Sequence, residues 1–306
     1  TCAPETQEAP KTNSPPTPSS LFLTVLGNAQ DAGYPQIGCQ KACCKHLWEH
    51  PERRKRVTCL GIIDPATHQS WLFEATPDFK DQVQMLSDLA GNEDFALPDG
   101  IFITHAHIGH YTGLMQLGRE AINAREVPVY ALPRMRQFLT QHGPWSQLVD
   151  LQNIALQPLD TGRSVRLSEG LEIIPFTVPH RGEYTETAGF RIEGPNRSVL
   201  FIPDIDKWHF WERDIRAELR TVDLAFLDAT FYQNGEVGYR DMSEIPHPFV
   251  EESMQLFDAL PSAEKSKIHF IHFNHTNPLL KDDSEACRLV RQKGYQLAEE
   301  GMVVAL

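Results

Sequence analysis

The sequence contains no run of eighteen or more apolar residues, so it offers no segment able to cross a membrane as a helix. Positive charge is short as well: 28 Lys and Arg stand against 41 Asp and Glu, a formal net charge of −13. Nucleic-acid binding draws its affinity from Lys and Arg, so this balance argues against an extended phosphate-binding surface. The one dense basic run, Glu52-Arg-Arg-Lys-Arg56, reads as a solvated or salt-bridged loop. Cysteine is sparse and unevenly placed. Of Cys2, Cys39, Cys43, Cys44, Cys59 and Cys287, three fall within six residues, unlike a dispersed disulfide framework. Cys43 and Cys44 are adjacent, and neighbouring residues rarely reach disulfide geometry, so shared metal ligation explains the group better. Cys59 and Cys287 read as ordinary buried thiols.

What is present is enough for a core: 306 residues, 41% of them hydrophobic, suit one large α/β or α+β domain. Residues 1–20 are different. They are rich in Pro, Thr, Ser, Glu and Gln and bury too little apolar area to offset the entropy of ordering, so they read as a flexible tether ahead of a domain over 21–306. With Cys2 at its head, the tether looks like the start of a mature bacterial lipoprotein, lipid-anchored at Cys2 and exported to the periplasm or cell surface. A cloning remnant before a natural linker is the other reading.

From Leu21 the pattern alternates. Strands are expected at Leu21–Leu26, Thr58–Ile63, Ser70–Glu74, Val127–Ala131, Leu171–Val178, Thr187–Ile192, Ser198–Ile202, Asp223–Leu227, Lys267–His272 and Met302–Ala305. Helices are expected at Phe79–Leu89, Leu114–Ala124, Pro133–Gln141, Val250–Leu260 and Asp283–Gln292.

The most informative stretch runs from Ile101 to Leu114. Its first residues are apolar and β-favouring, and it then delivers His105, His107 and His110 within six positions. His105 and His107 project to one side while the chain is extended, and Gly109 lets the backbone turn and swing His110 toward them. Neutral imidazole is a good ligand for zinc, iron or manganese. Further polar residues end apolar strands: His180, Asp204, Asp228 and His272. Singly, each reads as a turn or solvated loop residue.

The stretch from Ile101 to Leu114 resembles the HxHxDH signature of the metallo-β-lactamase superfamily. That resemblance implies a four-layer αββα sandwich, with His180, Asp204 and His272 taking the places of the later motifs. It implies one metal on His105, His107 and His180, with Asp204 able to bridge, and a second on His110, His272 and Asp204. Asp228 is then a turn residue or a support behind the ligands. Where the family carries Asp, this chain has Gly109, which removes a ligand and the customary proton acceptor. Asp31, in the Gly-rich loop Leu26 to Pro35, is the candidate replacement, with turn capping as its competing role. Asp204 or Asp31 would then serve as proton acceptor. Cys39, Cys43 and Cys44 with one imidazole would make a closed structural zinc site. The phosphonate-pathway cyclic phosphodiesterases of the superfamily complete a similar site with a His at the place of His275, while His46 and His50 remain open as alternatives.

Over nearly everything after the tether, the chain is similar to the pyrroloquinoline quinone biosynthesis protein B group. The similarity is carried by Leu26 to Gln36, Ala75 to Asp78, His105 to Leu114, Pro179 to Tyr184, Ile202 to Asp206 and His275 to Leu279. The implied function is a metal-dependent hydrolase acting on a small phosphodiester, lactone or other ester. The ions lower the pKa of a bound water to about 7. Glu183 and Tyr184, just past His180, are candidates to contact substrate, with exposed loop residues as the competing reading. Two alternatives stand beside this. A two-His, one-carboxylate set with open positions suits non-haem iron hydroxylation, and a protein that binds metal or ligand without turnover uses the same residues.

Overall fold

The structure, a computed structural model, describes residues 19–238, 241–242 and 245–306. Cys2 and most of the expected tether lie outside the described residues. The chain after them forms two seven-stranded sheets. The first is built from β1 (Phe22–Gly27), β2 (Cys59–Asp64), β3 (Gln69–Phe73), β4 (Gly100–Phe102), β5 (Val127–Ala131) and β6 (Ile154–Pro158). The second takes β7 (Val165–Ser168), β8 (Leu171–Val178), β9 (Thr187–Glu193), β10 (Ser198–Ile202), β11 (Leu224–Asp228), β12 (Ile268–Ile271) and β13 (Gln296–Leu297). The last strand, β14 (Val303–Ala305), returns to pair with β1.

Strand alternation sorts the side chains into layers. Trp71, Phe73, Phe102, Phe190, Val199, Phe201 and Phe226 fill the space between the sheets, where Phe73 stacks on Phe102 at 4.8 Å and meets Phe190 edge-on at 5.5 Å. Leu72, Ile101 and Ile103 point the other way, against the helices Phe79–Leu89 and Pro133–Gln141. Leu200, Ile202 and Leu227 likewise face the helices Ile215–Leu219, Val250–Leu256 and Glu285–Gln292. Helix, sheet, sheet, helix is the four-layer αββα sandwich expected from the family motifs.

Strand direction is what matters for function. β3 and β4 run parallel, and β1 joins their direction through the antiparallel β2. β10, β11 and β12 are parallel, and β8 joins them through β9. The C-terminal ends of β1, β3, β4, β8, β10, β11 and β12 carry the polar residues that meet at one edge of the sandwich.

The helix expected over Leu114–Ala124 is not there. A short helix, Ile108–Tyr111, gives way to a 3-10 turn, Thr112–Leu117, and then to irregular turns. Packing explains this: the Gly113 amide donates to Ala75 O at 2.8 Å, and a Cβ there would reach Phe79 Cβ at 2.5 Å, so the segment is pressed flat against the loop after β3. Strands β6, β7 and β13 and the helix Trp145–Asp150 were not expected, because their residues are short and only partly buried. The helix from Val250 also ends sooner than expected, at Leu256.

Candidate metal centre

The sequence-separated histidines and aspartates come together at that edge in two groups that touch. His105, His107, His180 and Asp204 place donor atoms within 4.8 Å of one another, and so do Asp31, His110 and His272. In the first, His105 Nε2 lies 2.8 Å from His107 Nδ1, which is 3.2 Å from His180 Nε2. Four ligands tetrahedrally placed around zinc sit about 3.3 Å apart, so these separations are those of a coordination shell. Asp204 Oδ2 joins the groups, lying 3.4 Å from His105 Nε2, 3.2 Å from His180 Nε2 and 3.6 Å from His110 Nε2.

The rings are aimed. His105 Nδ1 donates to Thr104 Oγ1 at 2.8 Å, and that hydroxyl donates to Glu74 Oε1 at 2.6 Å. His110 Nδ1 donates directly to Glu74 Oε1 at 3.1 Å. Across the cleft the arrangement repeats: His272 Nδ1 donates to Thr230 Oγ1 at 2.9 Å, which donates to Asp228 Oδ1 at 2.7 Å. His180 Nδ1 donates to Asp206 Oδ1 at 3.0 Å. Each of these four rings therefore has its Nδ1 proton held from behind and its Nε2 free toward the cleft. A second nitrogen bonded to a carboxylate, directly or through a hydroxyl, is how proteins orient metal-binding imidazoles. His107 is turned the other way, its Nδ1 inward and its Nε2 3.2 Å from Glu183 Oε2.

Buried polar atoms without partners test whether an ion fits. His110 Nε2, His272 Nε2, Asp31 Oδ1 and Asp204 Oδ1 are all buried without a properly aligned hydrogen bond. They are close without being paired: His110 Nε2 is 3.1 Å and His272 Nε2 3.4 Å from Asp31 Oδ1. Orphaned buried donors and acceptors are costly, and a shared cation satisfies them together. Glu74 and His272 also hold positive φ angles of 83° and 70°. Buried non-glycine residues in that region cluster at sites where the surrounding structure over-determines the backbone.

The electrostatics ask for positive charge. Burial disfavours charge on Asp204, yet the imidazoles of His180 and His247 outweigh it and hold the carboxyl well below its usual range. Burial likewise opposes a proton on His180, but Asp204 and Asp206 push that ring up to about 10. His105, buried beside His110, is pushed well below the ordinary histidine value.

A third group adjoins the first two: His247 Nδ1 lies 2.8 Å from Asp228 Oδ2 and 3.2 Å from Asp204 Oδ1. His247 was not anticipated; it sits between Pro246 and Pro248 with no strand before it. Glu74 was missed too, although it ends an apolar strand just as Asp204 and Asp228 do. Tyr184 is exposed at the rim, with its ring 5.6 Å from Phe138.

Away from the cleft, Cys39, Cys43, Cys44 and His275 bring donor atoms within 4.8 Å of one another. Cys39 and Cys43 sulfurs are 3.7 Å apart, close to the roughly 3.8 Å of two thiolates on one tetrahedral zinc. His275 Nδ1 bonds Asn274 Oδ1 at 3.1 Å, leaving Nε2 for the sulfurs. Neither His46 nor His50 joins this group; His50 pairs with Glu52 at 3.3 Å. Cys59 and Cys287 are free and fully buried.

A profile of the beta-lactamase superfamily domain matches residues 70–272. The chain is 26% identical to Coenzyme PQQ synthesis protein B of Xanthomonas oryzae pv. oryzae over 308 residues, 94% of this chain and 100% of that one. The structure of Zn(2+)-bound PqqB from Methylobacterium extorquens aligns with a TM-score of 0.76 and 20% identity over 93% of this chain and 100% of that chain. A diphosphatase from the PhnP family aligns with a TM-score of 0.63 and 26% identity, over 93% and 96% of the two chains.

Proposed function

The chain belongs to the metallo-β-lactamase superfamily, and from that premise we propose that it is a metal-dependent hydrolase of a small phosphodiester or other ester. The carrying observation is Asp204: one carboxylate oxygen stands within 3.2–3.6 Å of imidazoles from both donor groups, the placement of a bridge between two ions. His105, His107, His180 and Asp204 would hold one transition metal, and Asp31, His110, His272 and Asp204 the other. When bound, such ions lower the pKa of a coordinated water to about 7 and polarise the ester.

The chain's own residues do the rest. Glu74, through Thr104, and Asp228, through Thr230, fix the Nδ1 protons and so keep the Nε2 lone pairs inward. His247 keeps a proton on Nδ1 between Asp228 and Asp204: burial alone would lower its pKa, but the two carboxylates raise it. Asp204 stays ionised, its carboxyl held well below the usual range, which suits an anionic ligand better than a strong base. The proton released in hydrolysis would therefore pass to Asp204 or Asp31 only weakly, or leave with water. Glu183 and Tyr184 stand at the mouth, where substrate enters. The similarity to a diphosphatase supports attack at phosphorus over attack at a lactone carbonyl.

The second reading is iron-dependent hydroxylation, favoured by one observation: Asp31, His110 and His272 are a two-His, one-carboxylate set. The purified protein, metal-analysed and then loaded with zinc, manganese or iron, separates the readings. Hydrolysis of bis(p-nitrophenyl) phosphate with zinc or manganese is the expected result. Iron-dependent oxygen uptake without ester cleavage overturns it in favour of hydroxylation, and inertness in both assays leaves a binding protein.

A further inference from the structure

The loop after β1 carries a carboxylate into the space where the family's own motif would place one. A Cβ built on Gly109 lies 2.5 Å from Asp31 Cα and 2.7 Å from Asp31 Cβ, and closer still to Asp31 Oδ1. No side chain fits at 109 while Asp31 is where it is. The reverse also holds: the place left by the missing side chain is filled, and it is filled by a carboxylate whose Oδ1 points at His110 Nε2 and His272 Nε2, 3.1 Å and 3.4 Å away. We infer that Asp31 and Gly109 are a reciprocal exchange, in which the metal-binding carboxylate has moved from the histidine motif to the first loop and glycine has become obligatory at 109. This rests on the metal-centre reading above and gives the Asp31 ligand of that reading its structural cause at Gly109.

The backbone makes the exchange mechanically sound. Asp31 does not dangle from a free loop. Gln30 N donates to Phe273 O at 2.8 Å and Phe273 N to Asn28 O at 2.9 Å, tying the loop to the residue after His272. Ala29 N and Asn28 N both donate to Arg56 O, and Gly33, at a φ of 71°, closes a turn whose amide donates to Gln30 O at 2.8 Å. The carboxylate is thus held from two sides at the level of the histidines. Its competing role, capping a turn, finds no support: among the described residues the Asp31 side chain bonds no backbone amide, and its Oδ1 is buried without an aligned partner. An oxygen that faces two imidazole nitrogens yet is aligned with neither is aimed at a point between them.

The test counts ions instead of turnover. Wild type, Asp31→Asn, Asp31→Gly, Gly109→Asp and the double variant Asp31→Gly/Gly109→Asp are metal-loaded, desalted into chelator-treated buffer and analysed by plasma mass spectrometry, with melting temperature followed in parallel. Asp31→Asn keeps the shape and removes the charge. It is expected to hold one ion fewer than wild type, or to bind that ion 10- to 100-fold more weakly in competition with a chromophoric chelator. Gly109→Asp alone is expected to melt lower, from the clash with Asp31. The double variant is expected to recover the ion that Asp31→Gly loses, as well as the stability that Gly109→Asp loses. An Asp31→Asn protein with wild-type ion count and affinity overturns the exchange and leaves the metal centre standing. A wild-type protein with no ion beyond the one at the cysteine group overturns the metal centre itself, and the exchange with it.

Discussion

The donors of the cleft stand at the ends of five strands drawn from both sheets, whereas the three sulfurs ride on the loop between β1 and β2 and meet a single histidine. Each inward-facing imidazole in the cleft is held from behind by a carboxylate or a hydroxyl, and the donor set includes Asp31 Oδ1, an acidic oxygen buried without an aligned hydrogen bond. The cysteine group has four donors, enough to close a tetrahedron and no more. One segment serves both: His272 faces the cleft, and His275, three residues on, faces the sulfurs. Two adjoining groups of imidazoles and carboxylates that share Asp204 suit chemistry, and a closed thiolate centre on a loop suits anchoring. The proximity of the two implies that the anchor steadies the loop bearing Asp31.

The sharpest way to break that division is a pair of substitutions. Asp204→Ala removes the oxygen common to both cleft groups and takes from His180 and His247 one of the two carboxylates beside each, so ester cleavage is expected to fall by roughly 10³-fold or more, with ions lost from the cleft and the cysteine-bound ion retained. Cys43→Ser is expected to do the opposite. Losing a thiolate from a structural site costs roughly 3–5 kcal/mol, a fall in Tm of about 6–10 °C for a chain of this size, while turnover per folded molecule stays within about threefold. Kinetics, calorimetry and metal analysis on the same two preparations decide the matter. A Cys43→Ser protein that melts normally but turns over 100-fold more slowly would reverse the two roles.

Glu74→Gln asks how much of the cleft's behaviour is set from behind the ligands. Glu74 Oε1 receives both the Thr104 hydroxyl and His110 Nδ1, and Oε2 receives the Thr104 amide at 3.3 Å. A Gln oxygen at the Oε1 position still accepts from the Thr104 hydroxyl and His110 Nδ1 but without the carboxylate charge. Its NH2 then meets the Thr104 amide in place of an acceptor, so the aim of His105 and His110 loosens. Loss of such a support typically costs 10- to 100-fold in metal affinity or activity, and the same range is expected here in a chelator competition. Unchanged affinity would mean that packing alone fixes the rings.

How far the chain could be read without coordinates depended on where the information lay. The histidine strand was legible because strand periodicity and ligand spacing coincide in a single run, whereas His180, Asp204 and His272 stood out only through the family resemblance, since ending an apolar strand is by itself the mark of a turn residue. His247 was not legible, since a histidine between two prolines in an irregular segment carries no periodicity; only the return of that segment over Asp228 gives it a role. Glu74 carried the same signal as Asp204 but was read as the end of a strand rather than as a residue beyond it. The helix after His110 failed for a tertiary reason, the contact of Gly113 with the β3 loop, which local propensity does not contain.

The smallest effect concerns the mouth of the cleft, where the comparison with the cysteine group is finest. Glu183 was expected to touch substrate; the structure turns it onto His107, 3.2 Å from Nε2, with the carboxylate about half exposed. His107 is the cleft histidine whose supporting acid is most exposed, 49% against 21% for the Asp206 behind His180, so water can replace Glu183 at little cost, as it cannot replace the fully buried Glu74. Glu183→Gln is therefore expected to change kcat by no more than about threefold, with any larger change falling on KM, as the proposed substrate contact requires. A loss in kcat as deep as that of Glu74→Gln would show that exposure does not discount the support of a ligand, and that His107 is held as tightly as the buried rings.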